Sequence, residues 1–193
     1  GMVSTLANNG QNGTLLLDPS EILIASAGTT GITLSVETLV GDAHGTNGWD
    51  LATVAGSNGL IHNNNVIINT DGAVAGSGNI TIGAAGGNAD DIHYISDNSL
   101  TFLAHGSIFI ESNVLNHQDN TGSETGHINL VAGWDGTLPA DPSANLSFNE
   151  VSQLSFGADG STVHVNSDGR QEVSIESRAG ETNVMRDNVF DTS

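Results

Sequence analysis

The chain has 193 residues, of which 22 are Asp or Glu and 3 are Lys or Arg, giving a formal net charge of −19. Binding to nucleic acid needs a basic footprint that displaces counterions from phosphate, so that class of function is excluded, and the same Coulomb argument disfavours anionic membranes. Cysteine is absent, which removes disulfides, cysteine nucleophiles and thiolate metal sites together.

Hydrophobic residues make up 37% of the chain and aromatics 4%, with 25 Gly and 3 Pro. A compact α/β enzyme normally carries more apolar bulk. Abundant Gly and Asn, which tolerate positive φ at low cost, predict many short strands joined by tight turns. Charged residues total only 13%, and ordered alternation of β-branched residues and Leu argues against disorder. No apolar stretch approaches the roughly 20 residues of a membrane helix, and no basic-then-apolar leader opens the chain. The opening Gly1-Met2 reads as a tag remnant before a cloning start, so the chain is expected to be cut from something longer or stripped of a signal.

In chain order, inward-pointing pairs at two-residue spacing predict strands at Leu15 and Leu17, then Ile22 and Ile24, then Ile32, Leu34 and Val36. Further pairs follow at Ile80 and Ile82, Leu100 and Phe102, Ile108 and Ile110, and Ile128 and Leu130. Leu146 and Phe148, Leu154 and Phe156, Val163 and Val165, and Val173 and Ile175 complete the set. No segment shows a sustained helical period. Several pairs are separated by only about four residues, too tight for hairpins with long arms, which fits a chain that turns a corner and keeps one face inward.

A longer repeat overlies these pairs. NITIGA (79–84) matches SLTFLA (99–104) with Ala84 over Ala104, and HINLVA (127–132) continues it with Ala132. The polar stretch LNHQDNTGSETG (115–126) is suited to a surface insertion. A repeat near 20 residues with turn residues and occasional insertions marks a solenoid. The expectation is therefore an all-β chain, a right-handed parallel β-helix forming a single domain over residues 1–193. With about 20–25 residues per turn, it would make roughly eight or nine turns and a rod about 40 Å long. GWDGTLPADPS (133–143), which holds two of the three prolines, is expected as a long loop. Residues 180–193, with Met185, Val189 and Phe190, are expected to form a C-terminal cap or a flexible tail.

GTLLLDPSEILIAS, SLTFLAHGSIFIESNV and GHINLVAGWDG, in that order, resemble the recurrent units of filamentous haemagglutinin-like secreted adhesins, the exoproteins of two-partner secretion. The resemblance covers about residues 10–136. It implies a bacterial exoprotein moved across the outer membrane by a partner transporter, without insertion into the membrane. Such a protein forms a β-helical fibre on the cell surface and contacts a receptor or glycan of a host or neighbouring cell. The family's secretion domain carries Asn-Pro motifs, and none occurs here, so the chain is expected to lie downstream of that domain or in a divergent relative. Residues 137–193 match less well.

Candidate sites follow from residue chemistry. Trp49-Asp50 and Trp134-Asp135 share a Gly-Trp-Asp context. An aromatic ring beside a carboxylate is what a sugar-binding surface uses, and the competing reading is a Trp that covers a face or loop. GAAGGNADDI (83–92) echoes a Ca²⁺-binding repeat, which makes Asp90 and Asp91 candidate calcium ligands; the competing reading is a solvated turn. The Asn-Asp cluster 116–120 is a weaker candidate on the same ground. His105, His117 and His127 read either as a stack on one side of the rod or as outward strand and turn residues, and none of the seven histidines shows a metal-binding spacing. Residues 1–169 lack Arg and Lys, so nothing would neutralise an acidic polysaccharide substrate, and no nucleophile elbow is present. The leading expectation is a structural and adhesive segment without catalysis. The alternative is a carbohydrate-binding or carbohydrate-cleaving β-helix.

Overall fold

Short runs of Ile, Val, Leu and Phe bounded by Asn, Ser and Gly form strands because such side chains fit a pleated, half-buried surface. The computed structural model describes residues 14–17, 20–27, 29–31, 33–41, 59–70, 78–83, 90–116, 125–137, 161, 163–165, 175–177, 182–185 and 188–190. The strands are β1 (Thr14–Leu17), β2 (Ile22–Ala25), β3 (Leu34–Ser35), β4 (Asn65–Asn69), β5 (Ile80–Ile82), β6 (Ile92–Tyr94) and β7 (Leu100–Ala104). They continue with β8 (Ile108–Ile110), β9 (Val114–Asn116), β10 (Ile128–Ala132), β11 (Val163–Val165), β12 (Ile175–Ser177), β13 (Thr182–Met185) and β14 (Asn188–Phe190). Among the described residues, two short helices, α1 (Val36–Val40) and α2 (Leu60–Asn63), lie between β3 and β4.

The strands form three sheets, ordered β1-β4-β7-β10-β13, β14-β11-β8-β5-β2-β3 and β12-β9-β6. Every pairing is parallel. From β4 to β14 the chain visits the first, second and third sheets in strict rotation. Parallel neighbours need a long crossover, and here passage through the other two sheets supplies it.

Register aligns the apolar residues from pass to pass. In the first sheet Val66, Leu100 and Ile128 pair in one row, and Ile68, Phe102 and Leu130 in the next. In the second, Ile22, Ile80, Ile108 and Val163 pair in one row, with Ile24, Ile82 and Ile110 in another. These side chains form one core, shared with Ile92, Tyr94 and Val114 of the third sheet. β4, β7 and β10 of the first sheet are buried on both faces: Ile67, Thr101, Leu103, Asn129 and Val131, which point away from that core, are also removed from solvent. Asn129 Nδ2 donates to Thr101 Oγ1 at 2.9 Å on this second face.

Several expectations change. Ala104 and Ala132 do pair in register. NITIGA does not lie over SLTFLA, however: β5 belongs to the second sheet between β2 and β8, and the strand beside β7 is β4. Every inward strand shares the two-residue period whichever sheet it joins, so the sequence match equated strands of different walls. Ala84 itself lies outside the described residues. In the first sheet, stacked positions are separated by 34 residues from β4 to β7 and by 28 from β7 to β10. Among the described residues that sheet contains five strands. Val36 opens a helix instead of ending a strand. Ser35 accepts from the Thr38 N–H at 3.1 Å as N-cap, and Gly41, at φ 88°, closes the helix in the left-handed region. Of residues 180–193, Thr182–Met185 and Asn188–Phe190 form the outermost strands of the first and second sheets. Residues 138–143, the pairs at 146–156, Ile32 and Val173 lie outside the described residues.

Between strands the backbone leaves the ladder, and side-chain oxygens take over. Asn65 Oδ1 accepts from the Ser99 N–H at 2.7 Å, and Ser99 Oγ in turn accepts from the His127 N–H at 2.7 Å. Asn79 Oδ1 accepts from the Ser107 N–H at 2.8 Å, and Asp91 Oδ1 from the Asn113 N–H at 2.9 Å. Each bond spans two successive passes of the chain. In contrast, the fully buried Tyr94 hydroxyl has no hydrogen-bond partner among the described residues, and burial pushes its pKa up.

These two environments predict opposite signs. Asn79→Ala strands the Ser107 N–H and is expected to lower stability by about 1–3 kcal/mol, whereas Tyr94→Phe removes an unpaired buried hydroxyl and is expected to be neutral or stabilising. Urea denaturation of both variants checks this.

Candidate functional site

Trp134 sits in the turn that follows β10. Its N–H donates to the Ala104 carbonyl at 2.8 Å, continuing the parallel bonding beyond the strand. Its indole Nε1 donates to the Thr137 carbonyl at 3.0 Å, and its ring packs on His105 at 5.2 Å between centroids. The residue is 3% exposed. A sugar stacks on an accessible ring face, and Trp134 offers none in this conformation; it covers the corner between the first two sheets. Asp135 is exposed, and its Oδ1 accepts from the Thr137 N–H at 2.8 Å, a self-contained Asx turn. Trp49 and Asp50 lie outside the described residues.

Asp90 and Asp91 are not in the solvated turn that was the competing expectation. They are 3% and 1% exposed. Asp90 Oδ1 accepts from the Ser26 N–H at 2.7 Å, and Asp91 takes both the N–H and the side-chain amide of Asn113. A buried carboxylate is tolerated when such donors satisfy it. Ca²⁺ asks for six or more oxygens, and among the described residues no three His, Asp or Glu side chains come together in a way that could hold a metal ion. Of cluster 116–120 only Asn116 is described; it is buried, with its amide donating to the Ser96 and Gly126 carbonyls.

His105 and His127 do not stack on each other. His105 follows β7 while His127 precedes β10, so they sit at opposite ends of the first sheet, and His117 lies outside the described residues. A pairing that the sequence reading missed lies on the second sheet's outward face. Phe109 and His164 stand in register on β8 and β11, with rings stacked at 4.8 Å and 6°. Their signal was the middle residue of IFI and of VHV. With ring faces turned to each other along the sheet, the pair presents edges to solvent. Half-exposed Leu23 and Thr81 extend the same column.

His62 on α2 is half-buried, with Nε2 3.1 Å from the Val40 carbonyl. Burial holds its pKa below the ordinary 6.5, opposed by the bond to Val40. No protein family, curated protein or solved structure matches this chain in comparisons of its sequence and fold.

Two expectations follow. Because the folded chain keeps His62 neutral at a pH where the unfolded chain protonates it, its contribution to stability is intact above 6.5 and declines as pH falls below that value. Thermal melts between about pH 7.5 and 5.5 are expected to drop more for the native chain than for His62→Gln, which keeps a donor for Val40. Because Asp90 and Asp91 already accept backbone and amide donors, melts in Ca²⁺ and in chelator are expected to coincide.

Proposed function

We propose that the three sheets are the walls of a right-handed parallel β-helix, and that the chain is a structural and adhesive segment of a secreted bacterial surface exoprotein. The observation that carries this reading is the strict rotation through three parallel sheets with apolar rows in register. Each pass leaves its aliphatic side chains uncovered until the next pass stacks on it, which is the logic of a repeat protein. The resemblance of residues 10–136 to filamentous haemagglutinin-like units supports the same architecture and a surface location. The carboxylates also favour a scaffold over a catalyst. Glu37, Asp90, Asp91, Asp97 and Asp135 each accept from a backbone N–H, so their oxygens are engaged in holding turns. Full-length context, including a partner transporter and a receptor or glycan on another cell, belongs to this proposal.

Small-angle scattering of the 193-residue chain is expected to show an elongated particle, and a compact globule removes the β-helix. Beads coated with the chain are expected to adhere to cells or to one another. Dispersed beads that bind neither remove the adhesive role while leaving the architecture standing.

A further inference from the structure

Asn79-Ile80-Thr81 fits the acceptor motif for N-linked sugars, Asn-X-Ser/Thr with X other than Pro. Asn12 and Asn145 open the same motif and lie outside the described residues. The motif alone is common in a chain rich in Asn, Ser and Thr, and the surroundings of Asn79 give it weight. Asn79 immediately precedes β5, so two-residue alternation turns it and Thr81 to the same outward face of the second sheet while Ile80 and Ile82 enter the core. Both outward residues are half-exposed.

The Asn79 side chain uses only one of its two ends. Oδ1 accepts from the Ser107 N–H at 2.8 Å and holds the corner before β8. Nδ2 donates to no group among the described residues and is open to solvent. Other asparagines spend that nitrogen internally: Asn64 on the Leu60 carbonyl, Asn98 on that of Ile61, and Asn116 on those of Ser96 and Gly126. The Thr81 hydroxyl is likewise without a partner among the described residues. One strand over, Phe109 stands in register with Thr81, and so lies diagonally across from Asn79. His164 covers one face of the Phe109 ring, at 4.8 Å and 6°. The opposite face looks toward the smaller Thr81.

We propose that Asn79 is an acceptor for an N-linked hexose in the folded chain, and that the sugar lies over Thr81 against the face of Phe109 that His164 leaves open. The donor is a hexose activated as its nucleoside diphosphate ester. Asn79 Nδ2 forms a bond to the anomeric carbon as the bond from that carbon to the phosphate oxygen breaks. The nucleoside diphosphate leaves with the electron pair, one amide proton passes to the transferase's base, and nothing is oxidised. Oδ1 is untouched, so the bond from the Ser107 N–H survives the modification. A pyranose face packs on an aromatic ring, which gives the sugar a seat. The inference needs only the pairing of β5 with β8 and stands apart from the adhesive reading.

Asn79 holds a corner, so the test breaks the motif at Thr81. The folded chain is treated with a soluble asparagine-directed glycosyltransferase and nucleotide-activated glucose, and its peptides are weighed. Asn79 is expected to carry glucose in the native chain and in Thr81→Ser, and none in Thr81→Ala. A bare Asn79 in the folded native chain overturns the proposal, as does sugar on Asn79 in Thr81→Ala. Melting before and after treatment then reads the seat, because Thr81→Ala keeps the motifs at Asn12 and Asn145. Sugar is expected to raise the native melting temperature by about 2–4 °C more than that of Thr81→Ala, and Phe109→Ala is expected to lose this excess. No excess, or one that survives Phe109→Ala, overturns the placement on Phe109. Chain recovered from the cells that make it is expected to carry sugar on Asn79, and a bare residue there overturns the assignment.

Discussion

Backbone N–H groups at the corners must find acceptors, and this demand shapes the whole chain. Within a strand, the parallel ladder pairs each amide with the neighbouring pass. At a corner the ladder stops, and an amide left unpaired inside the protein costs as much as a lost hydrogen bond. Asn65, Asn79, Asp91 and Ser99 meet that need by accepting from the next pass. Asp97 does the same for the Thr125 N–H at 2.9 Å. The lopsided charge follows in part. Asp, Asn and Ser can accept such a proton, whereas Lys and Arg only donate, so corners select the acidic and amide residues in which this sequence is rich.

The same accounting explains why the first sheet bears the greatest weight. Asn65–Asn69, Leu100–Ala104 and Ile128–Ala132 are the longest strands, and β7 and β10 are buried at every position. Parallel sheets covered on both faces read as near-continuous apolar runs. In the outward row Thr101–Asn129 the Asn amide donates to the Thr hydroxyl. The second sheet differs. Its strands alternate buried and half-exposed residues, and its outward Phe109–His164 stack follows from the spacing of adjacent strands, about 4.8 Å.

Much of the strand inventory was legible in the sequence, because an inward pair at two-residue spacing has one meaning in a sheet. Ile22 with Ile24, Ile80 with Ile82 and Ile108 with Ile110 are all buried pairs on strands. Which wall a strand joins was not legible, since Ile80–Ile82 and Leu100–Phe102 share one pattern and lie in different sheets. Leu103 and Val131 broke the alternation and signalled the doubly buried sheet, but a single odd apolar residue is easily taken for an exposed one. The helix at Val36–Val40 was written in Ser35, in Val36, Leu39 and Val40 at helical spacing, and in Gly41; its five residues are too short to show a sustained period. The Gly-Trp-Asp motif at Trp134 and the Asp90-Asp91 pair marked real features, namely a buried corner and buried acceptors. Chemistry alone could not tell those from binding groups, because burial decides the difference and depends on neighbours distant in sequence, such as Ser26 for Asp90.

Net charge by itself does not protect an open sheet edge. Nineteen negative charges repel a second copy at a distance, but at physiological ionic strength the Debye length is about 8 Å. Beyond that range the repulsion is largely screened, and at contact the backbone bonds of an added strand act over about 3 Å. Repulsion therefore slows encounter more than it weakens a register once formed. A steric barrier at the edge acts at the range where pairing occurs and does not depend on salt.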